Sequence, residues 1–597
     1  MKSTVRAMRP PAALLILLMA ALLATSPAAA RLDPRSLSTW ADAELGEAVR
    51  EGRVSAATMV VVQGGRPVLQ RTYGYADASA GLPVGPPRER FIIASVTKTF
   101  TATAIALLVQ DGRIKSLDDR ANVYLKRVQL PGAFGQAITL RHLLTHSAGF
   151  EERGFAIGDR SDRTVPVSAD YVRAHLPAIV RAPGSRIVYA NIDPAILGLV
   201  VEDVTGLTMR DFIHRRILTP LGMKDTELVY DAAASARLVR PHFGPRAGAF
   251  DINTPFHAPT GSIHTTADDM GRFLLAQLGY FPDVLSPATV ASLHRPLARN
   301  APTLDPIGMA FFLSGWNGYK VVGHSGAFSG FGSDLYFVPE QDFGIFYSWA
   351  GGPAPGAGSP LEPGKLQASF LNLALGPYRA PPPLAVQPDP THHVGRYWQE
   401  RRPQTNFEAI VAANAVVEVA RASANRLTIN GDGPYYSFAP GSYTIARDGK
   451  PGPVYVFGAN SLSQRAGAAR RVSGLSDPRN QLMFGAAALG LLLTGLLGPL
   501  WMRGRAKLLA LLIGVLAGGV PLLLFVIPPG LEQDIIAGRY ARFLALKLNI
   551  VLLIGLAACL GWLTWRGDRR GMAQWHSALL GAAALALLVP FTFFNLL

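Results

Sequence analysis

Ser95-Val96-Thr97-Lys98 lies where a short apolar stretch, residues 91–94 (FIIA), meets a predicted helix over residues 99–110 (TFTATAIALLVQ). Residues three apart on a helix share a face, so this spacing places the Ser95 hydroxyl beside the Lys98 amine. A serine is a weak nucleophile unless a base accepts its proton, and a partly desolvated lysine is such a base. The motif predicts a nucleophilic serine. By itself it leaves open a helix-capping serine followed by an exposed lysine, because short motifs also occur by chance.

Further motifs follow this serine along the chain. Tyr189-Ala190-Asn191 comes first, and His324-Ser325-Gly326 lies at the start of two predicted closing strands. Three other segments accompany them: residues 141–149 (RHLLTHSAG), 220–226 (PLGMKDT) and 261–270 (GSIHTTADDM). In this order the set resembles the class C β-lactamase family of serine hydrolases, which includes related penicillin-binding proteins, D-amino acid peptidases and esterases. The resemblance covers about residues 40–375.

The resemblance implies a catalytic role for three residues. Ser95 would be the acylated nucleophile, and Lys98 would be its activating partner. Tyr189 would be the general base, with a phenol pKa lowered by neighbouring cations. Such a mechanism needs neither a metal ion nor an organic cofactor, so none is expected.

The resemblance also implies a set of substrate-binding residues. Asn191 would hydrogen-bond the substrate or the activating lysine. His324, Ser325 and Gly326 would line the substrate site, and the backbone N–H of Ala327 would complete an oxyanion hole with that of the nucleophile. The remaining histidines of this region are interpreted as structural: His142, His146, His257 and His264.

His324 departs from the pattern of the penicillin-recognising members, which carry Lys-Thr-Gly at this point. A lysine supplies a permanent cation for a substrate carboxylate, whereas a histidine is mostly neutral near pH 7. This difference favours the esterase and peptidase members over a β-lactamase or a D-Ala-D-Ala carboxypeptidase, which stay alternatives.

The N-terminus and the charge indicate the compartment. Residues 1–30 combine basic residues, an apolar stretch and an Ala28-Ala29-Ala30 site, which is typical of a secretory signal peptide; an uncleaved anchor helix is the alternative. The formal net charge of +16 is dispersed, so affinity for an anionic surface is expected and nucleic-acid binding is not. Cys559 is the single cysteine of the sequence, which excludes an intramolecular disulfide.

The pattern of the exported part predicts two domains. Residues 31–378 alternate helical and strand patterns, with strand-like segments near both ends, which predicts an α/β (α+β) domain whose antiparallel sheet is covered by helices. Residues 379–392 form a proline-rich linker. Residues 393–465 carry short alternating runs broken by glycine turns, which is typical of a small all-β domain.

Four apolar runs near the C-terminus predict a transmembrane bundle: residues 481–502, 508–530, 543–565 and 576–597. Basic residues follow the first and third runs, so the positive-inside rule places those loops in the cytoplasm. We therefore expect a multi-pass protein of the bacterial cytoplasmic (inner) membrane, with the catalytic domain facing the periplasm or the exterior.

The leading hypothesis is a membrane-anchored serine hydrolase that acts on a small peptide, amide or ester, with substrates containing D-residues among the candidates. A maturation peptidase of a natural-product pathway is a variant of this hypothesis. A non-catalytic sensor or an envelope assembly protein is the alternative from a different class. The sequence does not indicate the oligomeric state.

Overall fold

The computed structural model describes most of the chain after the N-terminal segment. The described residues are 31–595 except 87, 154–157, 160–168, 229–235, 243–253, 256–257, 329, 354–360, 446, 448, 522–540 and 567–570. The predicted signal peptide, residues 1–30, and His257 lie outside the described residues.

An antiparallel sheet forms the centre of the N-terminal domain, as the sequence predicts. Its strands are β1 Ala56–Gln63, β2 Arg66–Asp77, β3 Leu82–Pro83, β4 Phe312–Trp316, β5 Tyr319–Phe328, β6 Phe331–Val338 and β7 Phe343–Ala350. Their order is β3-β2-β1-β7-β6-β5-β4, so β1 pairs with β7 and joins the two ends of the domain.

Helices cover both faces of this sheet because the strands are apolar on both faces. Along β1, Val60 and Val62 belong to one buried cluster, whereas Met59 and Val61 belong to another on the opposite face. Alternating side chains of a strand point to opposite faces, so two helical layers are needed to bury them. The helices of this domain are α1 Pro34–Ala41, α2 Thr97–Gln110, α3 Leu140–Leu144, α4 Ala169–His175, α5 Ile192–Thr205, α6 Met209–Ile213, α7 Ala258–Gly261, α8 Ala267–Gln277, α9 Pro287–Leu293 and α10 Pro363–Leu375.

A two-residue turn sets the register of β5, the strand that carries His324. Asn317 and Gly318, between β4 and β5, both have positive φ, at 50° and 95°. Asn-Gly in this conformation makes a tight hairpin turn whose twist matches the strands. On its other side β5 pairs with β6, where Ser333 Oγ donates to the Ile93 carbonyl at 2.7 Å. Strand β6 is thereby tied to the segment that leads to Ser95.

The second domain is a closed β-barrel, which confirms the predicted all-β fold. Its last strand ends at Val472, beyond the predicted boundary at residue 465. Its strands are β8 Gly395–Gln399, β9 Val416–Ser423, β10 Arg426–Ile429, β11 Asp432–Ala439, β12 Ser442–Thr444, β13 Tyr455–Phe457, β14 Ser461–Gln464 and β15 Gly467–Val472. Closure pairs β8 with both β9 and β15, so every strand has two neighbours.

Apolar helices follow the barrel: α11 Pro478–Leu493, α12 Gly504–Pro521, α13 Ala541–Arg566 and α14 Met572–Phe593. Within the described residues, three segments are long and apolar enough to cross a membrane: Pro478–Leu500, Leu544–Leu563 and Met572–Phe593. They coincide with three of the predicted spans. The remaining predicted span, 508–530, begins within α12 and continues into residues 522–530, which lie outside the described residues.

Candidate active site

Ser95 lies in a one-turn 3-10 helix, Ala94–Val96, directly before α2. Ala94 has a φ of +44°, a left-handed conformation that costs a residue with a side chain on the order of 1–3 kcal/mol. Ala94 and Val96 are buried, whereas Ser95 is half-buried. The strained turn therefore brings the serine to the surface of a cleft while its neighbours stay in the core.

Lys98 contacts Ser95 as the spacing predicts. Its Nζ lies 2.8 Å from Ser95 Oγ and 2.9 Å from the carbonyl oxygen of Thr260, which belongs to α7. The side chain has no exposed surface. Burial disfavours the charged amine and lowers the pKa of Lys98 to about 7. A large fraction of this lysine is therefore neutral near pH 7 and able to accept the proton of the serine.

Tyr189 lies close to both Ser95 and Lys98. The Lys98 Nζ is 5.1 Å from the centre of the Tyr189 ring, and the hydroxyl groups of Tyr189 and Ser95 are hydrogen-bonded. The backbone N–H of Tyr189 donates to the carbonyl of Ala466 in the barrel domain at 3.1 Å. The structure thus brings the three predicted catalytic residues together.

The predicted lowering of the Tyr189 pKa is wrong. Burial raises the pKa of this phenol, and that effect exceeds the opposing effects of Ser95 and Arg401. A phenol with a raised pKa stays protonated and donates a hydrogen bond or a proton. Lys98, whose pKa is lowered, is therefore the better candidate for the base in the resting site.

His146 supports the Tyr189 ring from behind. The two rings lie 4.2 Å apart, and His146 Nδ1 is 3.0 Å from Oδ2 of Asp193. Burial lowers the pKa of His146 and raises that of Asp193, so burial favours the neutral form of each group. A structural histidine is what the sequence predicts here, but its contact with Tyr189 could not be read from the chain.

Asn191 donates two hydrogen bonds to the carboxylate of Glu152. Its Nδ2 donates to Glu152 Oε1 at 2.8 Å, and its backbone N–H donates to Glu152 Oε2 at 3.1 Å. Glu152 is a neighbour of Asn191 that sequence reasoning missed, and the predicted contact of Asn191 with the substrate stays a prediction. Burial raises the pKa of Glu152, while the nearby Arg401 and Asn191 oppose this rise.

His324 is buried beside Tyr189 and is neutral. Its ring lies 4.9 Å from the ring of Phe312 and 6.2 Å from that of Tyr189. Burial lowers its pKa to about 3, and the positive charge of Lys98 adds to this effect. Nδ1 lies 2.6 Å from the carbonyl oxygen of Ser325, which requires the proton on Nδ1. His324 therefore provides no cation near neutral pH, as the sequence predicts.

The residues after His324 run along the edge of the cleft. Ser325 Oγ donates to the buried carboxylate of Asp334 at 3.2 Å, and both Ser325 and Ala327 are exposed. Gly326 packs so closely that a Cβ atom there would lie 2.8 Å from the Ser95 backbone nitrogen. Strand β5 thus passes directly beside the nucleophile.

The barrel domain adds a residue that the sequence did not predict. Arg401 follows β8, and its guanidinium carbon lies 4.6 Å from the centre of the Tyr189 ring. Its Nε is 3.9 Å from Oε2 of Glu152, at the limit of an ion pair. A guanidinium over an aromatic face is attracted by the ring electrons. The candidate site therefore includes residues from two domains, and both Lys98 and Arg401 lie close to the Tyr189 ring.

Glu151 holds the barrel domain against the hydrolase domain. Its carboxylate accepts hydrogen bonds from the backbone N–H groups of Gln404 and Thr405 and from the Thr405 hydroxyl. Glu151 is 1% exposed, so water does not replace these contacts. Gln404 also accepts a hydrogen bond from Asn595, just after α14, through its carbonyl oxygen at 3.0 Å. Residues 401–405 thus connect the cleft to the apolar helices.

Replacing Glu151 with alanine should weaken the contact between the domains. The substitution removes charge-assisted bonds and leaves two backbone donors without their acceptor, which we expect to reduce the free energy of unfolding by about 2 kcal/mol. Denaturant titration of the full chain in detergent measures this change. Glu340→Ala, at an exposed position, is the control. An unchanged midpoint in Glu151→Ala would contradict the assigned role.

Comparison with known proteins agrees with this geometry. The family model described as Beta-lactamase matches residues 41–367. Protein flp of Staphylococcus aureus strain MW2 is 25% identical over 316 residues, which cover 50% of this chain and 60% of flp. Penicillin-binding protein 4* of Bacillus subtilis strain 168 is 25% identical over 298 residues, covering 46% of this chain and 63% of the relative. The chain thus spans less than two thirds of the length of these curated relatives.

Among solved structures, SurE shares the fold. It aligns with a TM-score of 0.52 and 21% identity, over 73% of this chain and 100% of SurE. That share of the chain is larger than the share that the family model matches. Because the family model matches more than half of the 597 residues, the chain belongs to the β-lactamase family.

Proposed function

We propose that this protein is a membrane-anchored, extracytoplasmic serine hydrolase that acts on peptide, amide or ester substrates through an acyl-enzyme. The contact between Lys98 Nζ and Ser95 Oγ, at 2.8 Å, carries this proposal. A buried amine with a pKa of about 7 is suited to accept a proton from the serine at physiological pH. Ser95, Lys98 and Tyr189 are accordingly the proposed catalytic residues.

The acylation step follows from these positions. Ser95 Oγ forms a bond to the carbonyl carbon of the substrate, and its proton passes to Lys98. The bond to the leaving group then breaks, and Tyr189, whose protonated hydroxyl is hydrogen-bonded to Ser95, supplies a proton to the leaving group. Lys98 returns a proton to Tyr189, which completes the transfer.

Deacylation uses the same groups in reverse. A water molecule transfers a proton to Lys98 as it attacks the acyl carbon, the bond from carbon to Ser95 Oγ breaks, and Lys98 returns that proton to the serine. Developing negative charge on the carbonyl oxygen would be stabilised by backbone N–H groups of Ser95 and Ala327. The close approach of Gly326 to the Ser95 nitrogen supports this placement.

The neutral, buried His324 supports peptide, amide or ester substrates over β-lactams. A penicillin-recognising site with lysine at this position holds the substrate carboxylate with a permanent charge. His324, with a pKa lowered to about 3, does not supply that charge. The name of the Bacillus relative nevertheless states penicillin binding for that protein, so a penicillin belongs among the probes.

Membrane placement is supported by the C-terminal helices and by the sequence. Segments Pro478–Leu500, Leu544–Leu563 and Met572–Phe593 are each long and apolar enough to span a bilayer. The basic residues of 503–507 and 566–570 favour a cytoplasmic side for those loops, and the predicted signal peptide favours export of the soluble domains.

A fluorescent fluorophosphonate on the detergent-solubilised full chain tests the function. We expect labelling of the wild type and its complete loss in Ser95→Ala. Ser36→Ala, at an exposed position on α1, should label like the wild type. Labelling that persists in Ser95→Ala would refute the assignment of the nucleophile.

The lifetime of the acyl-enzyme separates an enzyme from a sensor. A panel of D- and L-aminoacyl anilides, short acyl esters and a fluorescent penicillin would identify the acyl group. Rapid return of free Ser95 after acylation is expected for a hydrolase. A lasting acyl-enzyme with every probe would favour the sensor hypothesis instead.

A further inference from the structure

Arg401 brings a positive charge to the cleft from outside the hydrolase domain. Its side chain is 46% exposed, and the guanidinium lies over the ring of Tyr189 at 4.6 Å. The residue belongs to the segment after β8, which Glu151 fixes through Gln404 and Thr405. Arg401 is therefore held in place by the docking of the barrel, and it reaches both Tyr189 and solvent.

Two other basic side chains beside the Tyr189 ring, Lys98 and His324, do not offer a free cation. Lys98 is fully buried and bonded to Ser95 and Thr260. His324 is buried, and its ring N–H is used by the Ser325 carbonyl. Arg401 lies closer to the centre of the Tyr189 ring than Lys98 does, at 4.6 Å against 5.1 Å.

The guanidinium of Arg401 is available for a ligand. Among the described residues it donates no hydrogen bond, and its one ionic contact, with Glu152, is long at 3.9 Å. Glu152 is instead engaged by the side-chain and backbone N–H groups of Asn191. A guanidinium presents several N–H groups in a planar fork, which matches the two oxygens of a carboxylate.

The stacking on Tyr189 indicates which part of the substrate meets Arg401. In the proposed mechanism Tyr189 protonates the leaving group, so groups around its ring face the leaving side of the scissile bond. A carboxylate carried by the leaving group would then face the guanidinium. Its acceptance would not require a cation at position 324.

We propose that Arg401, supplied by the barrel domain, binds a carboxylate on the leaving group of the substrate. This inference rests on the proposed function, because it uses the role of Tyr189. It assigns the barrel a part in substrate selection, and it identifies acyl compounds with an acidic leaving group, such as peptides cleaved to release a free C-terminal residue, as the substrate class.

Two matched esters test this proposal by turnover. One has 3-hydroxybenzoate as its leaving group and the other has 3-hydroxybenzamide, with the same acyl group on both. In the full chain we expect Arg401→Gln to lower kcat/KM for the carboxylate ester about 10- to 100-fold, mainly through KM, and to change the amide ester less than about threefold. Arg401→Lys should recover part of the loss, since it restores the charge but not the fork.

Arg426→Gln is the matched control. Arg426 lies over the ring of Tyr436 in the same barrel, at 5.3 Å. Its replacement should leave the rates of both esters unchanged. An equal loss for both esters in Arg401→Gln would overturn the proposal and assign Arg401 to the positioning of Tyr189. Equal rates in Arg401→Gln and the wild type would overturn it as well.

Binding separates this inference from the proposed function. Calorimetric titration of the two esters into Ser95→Ala, and into Ser95→Ala combined with Arg401→Gln, needs no turnover. Tighter binding of the carboxylate ester that disappears with Arg401 supports the inference even if hydrolysis is not observed. Equal binding in both backgrounds refutes it, whereas hydrolysis that does not depend on Ser95 refutes the proposed function alone.

Discussion

Replacing Lys98 with methionine should reduce the rate of acylation by roughly 100- to 10,000-fold, the usual contribution of a general base. Methionine fills nearly the same volume, so the buried position stays occupied while the proton acceptor is lost. The Ser95 hydroxyl then has only Tyr189 beside it, and the raised pKa of that phenol makes it a proton donor rather than a base. The rate of fluorophosphonate labelling measures the loss directly.

The pH dependence of kcat/KM in the wild type tests the role of Lys98 independently. Only the neutral amine accepts a proton, and the pKa of Lys98 is about 7. We expect kcat/KM to rise about tenfold per pH unit below this value and to level off above it. Lys115→Met, at an exposed position, should retain the wild-type rate and profile. A flat profile between pH 5 and pH 9, on the order of two units either side of the expected pKa, would contradict the role of Lys98.

The sequence predicted the local part of the site because that part depends on short spacings. Ser95 and Lys98 are adjacent on one helical turn, and the structure places their reactive atoms 2.8 Å apart. Helix α2 begins at Thr97 and ends at Gln110, close to the predicted range of 99–110. The antiparallel sheet followed in the same way from strand patterns at both ends of the domain.

The electrostatics of the site could not be predicted, since they depend on burial. The neighbouring cation Arg401 does lower the pKa of Tyr189, as expected, but the loss of solvent around the side chain raises it by more. The same effect acts in the opposite direction on Lys98. A sequence shows which charges are present, whereas the balance between desolvation and charge requires the packed structure.

The contacts that the barrel makes with Tyr189 could not be predicted from the sequence either. Arg401 meets Tyr189, and the Ala466 carbonyl accepts from the Tyr189 backbone N–H, although both partners come from a separate domain. These are contacts of high sequence separation, and no periodic pattern or motif marks them. Glu152 was missed for a related reason, because its partner Asn191 is distant in the chain.

Gly326 is the second position where a small change should have a large effect. A Cβ atom at this residue would lie 2.3 Å from the Ile93 carbonyl oxygen and 2.8 Å from the Ser95 backbone nitrogen. Both distances are shorter than the contacts that Cβ atoms make in proteins. Both partners are backbone atoms, so the clash can be relieved only by a shift of the main chain. Gly326→Ala should therefore push β5 away from the nucleophile. We expect kcat to fall about 100- to 1,000-fold, the effect of losing an oxyanion-hole donor.

Gly315→Ala is the matched control for this change. Gly315 lies on the adjacent strand β4, and a Cβ atom there would meet nothing within 4 Å. Both variants lose the same backbone freedom in a strand, so any general effect of replacing glycine is shared by the two proteins. Slow turnover in Gly326→Ala with a normal denaturation midpoint would locate the effect at the oxyanion. If Gly326→Ala retained the wild-type kcat, β5 would not be part of the catalytic apparatus, and the predicted role of the Ala327 N–H would be wrong.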